Sequence, residues 1–215
     1  MPTKINVAAG STLAPRLDNQ EGSMSSGARR PRIYFAGPEV FLPQAHSIGL
    51  EKCRLAAAAG FEGVFPHDVE LGRIPLAKRE QARRIFAANT DLVRSCDGMI
   101  ANLTPFRGVS ADAGTVFEVG FMSALGRPVS AYTNAAEGYH ARAIGYRAQR
   151  SPALDCDRPE CAVEDHDLSD NLMIEMAVAA SGGTLVRHQA AAIADMTDLT
   201  AFRQCLEQIG RALAR

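Results

Sequence analysis

Tryptophan is absent from the chain, and all aromatic residues together make up only 6% of it. No apolar stretch approaches the roughly 18 residues that a bilayer span needs, and the N-terminus has no hydrophobic signal-peptide core. Together these absences argue against a membrane protein, and a cytoplasmic one is expected. Neither sign of charge is in excess, with 23 Lys and Arg against 24 Asp and Glu. No global field therefore draws the protein to nucleic acid or to an anionic membrane. Cysteine is sparse and odd in number, at five. Cys53, Cys96 and Cys205 fall in apolar, helix-like settings, which fits a reduced protein without a disulfide framework. Cys156, Cys161 and His166 lie close in sequence, but their spacing fits no zinc pattern, and no metal is expected. A Walker pattern and a G-x-G-x-x-G following a strand are also missing, so neither a phosphate donor nor a nicotinamide cofactor is expected.

What is present is an ordinary globular composition, 47% hydrophobic and 22% charged over 215 residues, enough for one full core. Residues 1–30 are rich in Ser, Gly, Pro, Asn and Arg and lack periodicity, so they read as a disordered arm. Met24 opens "MSSGARRPRIYF", so residues 1–23 read as a dispensable extension or a misassigned start. From residue 31 to 215, strand-like and helix-like segments alternate. Strands are expected at Arg32–Gly37, in "EGVFP" ending at Pro66, and at Gly98–Leu103, Pro128–Thr133 and "GTLVR". Helices are expected in "QAHSIGLEKCRLAAAAG", closed by Gly60, across Leu76–Cys96, in "DNLMIEMAVAAS", and in the closing "DLTAFRQCLEQIGRALA". Residues 134–169 are polar and read as a long excursion. The alternation predicts an α/β fold, a flavodoxin-like doubly wound sheet of five parallel strands in the order 2-1-3-4-5 with helices on both faces.

Such a fold binds ligands beyond the carboxyl ends of strands 1 and 3. The segments there are "AGPEVF", with Gly37, Pro38 and Phe41, and "TPFRGVSADAGT". The second leads into "SADAGTVFEVGFMSALG", an apolar helix that keeps one carboxylate, Glu118, with Asp112 six residues earlier. A buried ionised carboxylate is costly unless paired, hydrogen-bonded or functional. Thr115 to Glu118 also has the spacing of a capping box, and Asp112 that of a turn residue beside Gly114. Asp91, on the long helix, is equally compatible with a solvated surface. Helix capping and catalysis both remain open on the residues alone.

The ensemble resembles the nucleoside 2-deoxyribosyltransferase family. "IYFAGPEVF" is similar to its first strand and loop, and "NTDLVRSCDGMIANLTPFRG" to its second helix and third strand. "DAGTVFEVGFMSALGRPV" resembles the signature D-x-G-[ST]-x-x-E-x-G, and "DNLMIE" the segment that a neighbouring subunit lends to the active site. "FEGVFPHD" and "ANLTPFRG" look closest to the branch also found in trypanosomatid parasites, whereas the 134–169 stretch departs from the shorter members. The resemblance implies Glu118 as nucleophile, Asp112 as the group that binds the sugar hydroxyls and positions Glu118, and Tyr34 as the group that steers Glu118 by a hydrogen bond. It implies Asp91 facing the base and handling its proton, Gly37, Pro38 and Phe41 on the substrate side of the first loop, and Asn171 and Met173 reaching the site from an adjacent protomer. The partners implied are deoxynucleosides, free nucleobases and further copies of the chain, with no cofactor, nucleic acid or membrane.

Base exchange breaks a C1′–N bond through an oxocarbenium-like state, which a carboxylate below C1′ stabilises before forming a glycosyl ester. The ester must outlive base exchange, and a dry, apolar helix around Glu118 favours that. The nearest rival is a nucleoside or nucleotide N-glycosidic hydrolase using the same Glu118 with water as acceptor, for which Arg107 near the site would suit a 5′-phosphate. A non-catalytic nucleotide-sensing module and an unrelated flavodoxin-like domain, in which Glu118 only caps a helix, also fit the residues.

Overall fold

Strand β1, Arg32–Ala36, reads RIYFA and buries its last four residues. Strands β3, Gly98–Asn102, and β4, Val129–Thr133, are buried at every position. Strands buried on both faces need helices on both faces. In the computed structural model, which describes residues 29–66, 76–149, 161–191 and 196–214, that is the arrangement. The short strands β2, Glu62–Val64, and β5, Leu185–Arg187, complete a five-stranded sheet in the order β2-β1-β3-β4-β5. Every pairing is parallel, with Ile33 opposite Gly98, Met99 opposite Val129 and Ala131 opposite Leu185. The flavodoxin-like order predicted from the alternation is the order found. Of the expected arm, only Arg29 and Arg30 lie within the described residues.

Side-chain alternation along the strands builds two cores. Ile33, Phe35, Ile100 and Tyr132 pack against helix α1, Ala45–Ala58, and helix α6, Thr200–Leu213. Tyr34, Ala36, Met99 and Ala101 pack on the other face against α2, Lys78–Ser95, α3, Ala113–Ala124, and α5, Leu172–Ala180. Helix α1 closes as expected, with Gly60 at φ 90, the left-handed conformation that glycine adopts without strain. No described helix is long and apolar enough to cross a membrane.

Two features differ from the sequence reading. The expected excursion at 134–169 contains a helix, α4, Tyr139–Gln149, which buries no residue and so carries no apolar periodicity to read. Between β1 and α1 the chain makes a 3-10 turn, Pro38–Phe41. Beneath the carboxyl edge of the sheet this turn delivers Glu39 into a polar cluster, fully buried. Its Oε1 accepts from Lys52 Nζ, from Asn102 Nδ2 at 2.9 Å and from the Tyr132 hydroxyl at 3.0 Å. Removing either charge would strand the other, typically at a cost of about 3–5 kcal/mol. The cluster therefore fixes the turn after β1.

Candidate active site

Glu118 leaves the second turn of α3, and its Oε1 accepts a 2.6 Å hydrogen bond from the hydroxyl of Tyr34, a fully buried residue of β1. The capping-box reading does not hold. Helix α3 starts earlier, at Ala113, and its N-cap is Asp112, whose Oδ2 accepts from Thr115 N at 3.0 Å and from Thr115 Oγ1 at 3.3 Å. Glu118 lies too deep in the helix to reach any cap, and its position needs another explanation. Burial is the main influence raising its pKa, and the charge of Asp112 adds to it. The Tyr34 hydrogen bond opposes both, and the carboxyl comes to about 7. Burial, with the neighbouring Glu118 carboxylate, holds the Tyr34 phenol far above its usual range, so it stays a donor.

Glu118 and Asp112 open together into a cleft of about 370 Å³, within the roughly 300–1,000 Å³ typical of small-molecule sites. Gly37 forms part of its floor. A Cβ added there would sit 1.9 Å from Glu39 Oε2 and 3.0 Å from Asn102 Cβ, so only glycine lets the backbone approach. Val40, Phe41, Pro66 and Ile85 give the cleft an apolar wall, and Asn89 brings an amide to it. The Asn89 Oδ1 is buried and has no hydrogen-bond partner among the described residues. Such an orphan in a cleft invites a ligand donor. At the rim, Phe41 stacks on Phe106 with centroids 5.6 Å apart and planes at 10°. The Arg107 guanidinium lies 4.8 Å and 4.7 Å from those two ring centres. Arg107 takes a left-handed backbone conformation, φ 57.

Of the residues singled out from the sequence, the structure gathers Tyr34, Gly37, Phe41, Asp112 and Glu118 at one cleft. Pro38 starts the adjoining 3-10 turn, buried behind it. Asp91 does not join them. Its side chain is 77% exposed and pairs with Arg94 at 3.1 Å. Two residues along a helix turn the side chain through about 200°, so with Asn89 facing the cleft Asp91 faces away. Ile85 and Asn89, four residues apart, share the side of α2 that lines the cleft, and Val93, four residues further on, turns into the core. Asn171 and Met173 also lie outside this chain's own cleft. Asn171 caps α5, accepting from Met173 N at 3.0 Å, and donates to Glu164 Oε1 at 2.6 Å. Met173 is 71% exposed. Of the residues considered for metal, Cys156 falls outside the described ones, and among those described no three His, Cys, Asp or Glu converge as a ligand set.

Comparison with known proteins gives a consistent family. The family model for nucleoside 2-deoxyribosyltransferases matches residues 33–173. An uncharacterized protein of Schizosaccharomyces pombe is 35% identical over 121 residues, which span 55% of this chain and 57% of that protein's length. The solved 2-desoxiribosyltransferase of Leishmania mexicana is 26% identical with a TM-score of 0.54, covering 82% of this chain and 97% of its own. A conserved protein of Enterococcus faecalis, 18% identical with a TM-score of 0.51 over 85% of this chain and 99% of its own, shares the fold.

Proposed function

The chain belongs to the nucleoside 2-deoxyribosyltransferase family, and from that premise we propose that it transfers a 2-deoxyribosyl group between nucleobases through an ester on Glu118. The observation that carries the reading is the Tyr34–Glu118–Asp112 arrangement opening into one cleft. In the first step a Glu118 oxygen bonds to C1′ as the C1′–N bond breaks, and the base leaves with the electron pair. Asn89, which takes the base-facing place expected of Asp91, holds the base through Nδ2 and Oδ1. An amide supplies no proton, so water at the open mouth protonates the departing base. In the second step the incoming base attacks C1′ from the opposite face, loses its proton to water and frees Glu118. Two inversions return the β-anomer. Asp112 holds the sugar hydroxyls beside the nucleophile, and Phe41 offers its face to the base.

Incubation with deoxyinosine and free adenine, followed by chromatography, tests the reading. Deoxyadenosine is expected, and accumulation of free deoxyribose instead would indicate hydrolysis. One observation favours a second reading, N-glycosidic hydrolysis of a nucleotide: the Arg107 guanidinium stacked on the two rings at the rim, where a 5′-phosphate could reach it. Faster turnover of the 5′-monophosphate than of the nucleoside, lost in Arg107→Ala, would support that reading over transfer.

Ionised Glu118 is the reactive form, so kcat/KM is expected to rise with pH through a single ionisation near 7 and then level off. Tyr34→Phe removes the hydrogen bond that favours the ion and should move that limb upward. A profile flat from pH 5 to 8 would contradict the assignment. A homo-oligomer with shared sites is also proposed. Met173 and Met176 on α5, Phe117 on α3 and Phe86 on α2 are all exposed, and exposed apolar surface on neighbouring helices is the mark of an interface. Sedimentation is expected to show an assembly, and a fully active monomer would overturn this.

A further inference from the structure

Asp170, just before α5, is 1% exposed, and the proposed chemistry gives it no part. Its Oδ1 accepts from the Ser110 hydroxyl and, at 2.7 Å, from the Asn171 N–H, while its Oδ2 accepts from the Ala111 N–H at 2.7 Å. Ser110 and Ala111 directly precede Asp112, the cap of α3. The Ser110 carbonyl in turn accepts from the Phe106 N–H at 3.0 Å, so the same grip extends to the turn carrying Phe106 and Arg107. Arg142 of α4 reinforces it, donating to the carbonyls of Val109, Glu137 and Ser169. The helix hidden in the polar excursion thus binds together three loops at this end of the sheet. Hydrogen bonds to an ionised acceptor are roughly twice as strong as neutral ones, and three of them converge on this carboxylate.

We propose that Asp170 is a positioning residue, fixing the backbone that presents Asp112 and, through Asp112, the geometry around Glu118. The proposal rests on reading this cleft as the glycosyl-transfer site. It also explains why an acid stands at this position. Each oxygen faces a backbone N–H, so an amide in either orientation would set its own N–H against one of them. Asp170→Asn therefore keeps the volume while breaking the grip. The same carboxylate holds the start of α5, so the Asp112 loop and the Asn171 cap are set by one group.

The test compares Asp170→Asn and Ser110→Ala in the full chain, each alone and combined with Asp112→Asn. Asp170→Asn is expected to lower kcat at least tenfold with KM changed less than threefold. In the Asp112→Asn background it should cost less than a further threefold, because the group it acts through is already disabled. Fully multiplicative losses, or a folded Asp170→Asn protein within twofold of the parent in kcat, would overturn the proposal. Ser110→Ala removes one hydroxyl and carries the same comparison if Asp170→Asn does not fold, with an expected loss of about threefold or more. Amide hydrogen exchange gives a readout independent of the reaction. In Asp170→Asn, or in Ser110→Ala if only that variant folds, exchange at Ala111 should quicken while the β3 and β4 amides keep their protection. An unchanged Ala111 amide refutes the grip even if the substrate assignment stands. An inactive parent with a quickened Ala111 amide refutes the substrate assignment alone.

Discussion

Glu118→Gln is expected to lose at least about a thousandfold in base exchange, roughly 4 kcal/mol of barrier, and at the same time to stabilise the protein above neutral pH. The first effect follows because an amide oxygen forms no glycosyl ester and does not offset the charge developing at C1′. The second follows from linkage. A carboxyl whose pKa rises from 4.5 in the unfolded chain to about 7 in the folded one binds its proton more tightly when folded. Its contribution to stability is fully present below about pH 4.5 and lost as pH rises through 7. Above 7 the folded protein holds an ion whose burial favours unfolding. Removing that ion should recover on the order of 1–2 kcal/mol once the partial exposure of Glu118 is allowed for, a rise in Tm of about 3–6 °C. The gain should vanish by about pH 4.5. Thermal melts of both proteins across pH, beside exchange rates, check this. A variant within tenfold of the parent in rate, or one destabilised at pH 8, would mean that Glu118 is a structural residue.

The second large effect concerns the sugar. A strong preference for 2′-deoxyribosides over ribosides is expected, at least about a hundredfold in kcat/KM, equivalent to roughly 2.7 kcal/mol. Glu118 must approach C1′ from the α face, where a ribose 2′-hydroxyl would crowd it and compete for its hydrogen bonds. Leaving that hydroxyl desolvated and unpaired costs on the order of 1–3 kcal/mol, and displacing the nucleophile from its near-attack position adds to this. The hydroxyl also withdraws electrons from the developing oxocarbenium centre, an intrinsic handicap. Asp112 is anchored to Thr115, which limits how far the site can yield to the extra group. Inosine and deoxyinosine compared with one acceptor base decide the matter. Comparable rates would mean a roomier α face and would favour a general nucleoside hydrolase.

The sheet order was legible because the central strands β1, β3 and β4 are short, largely apolar runs bounded by Gly, Pro or polar residues, and strand-like segments alternate with helical patterns. The pair Asp112 and Glu118 was legible because a carboxylate in an apolar helix is an anomaly at any level of description. Three things were not legible. Asn89 is an ordinary polar residue on a polar helix, and only the helix phase fixed by Val93 in the core separates it from Asp91. Helix α4 buries nothing and is held by hydrogen bonds, which leave no hydrophobic period. Asp170 stands out in no local pattern, because its partners Ser110 and Ala111 lie some sixty residues away in sequence. Pattern reading finds what burial organises and misses what long-range hydrogen bonds organise.

A covalent deoxyribosyl ester on Glu118 would be caught by rapid acid quench of the protein with deoxyinosine and no acceptor base, followed by proteolysis and peptide mass spectrometry. One deoxyribosyl group is expected on the peptide containing Glu118, absent from Glu118→Gln and chased into deoxyadenosine when adenine is added before the quench. Deoxyadenosine formed at full rate with no adduct at any quench time, or with an adduct on a different residue, would contradict the ester on Glu118.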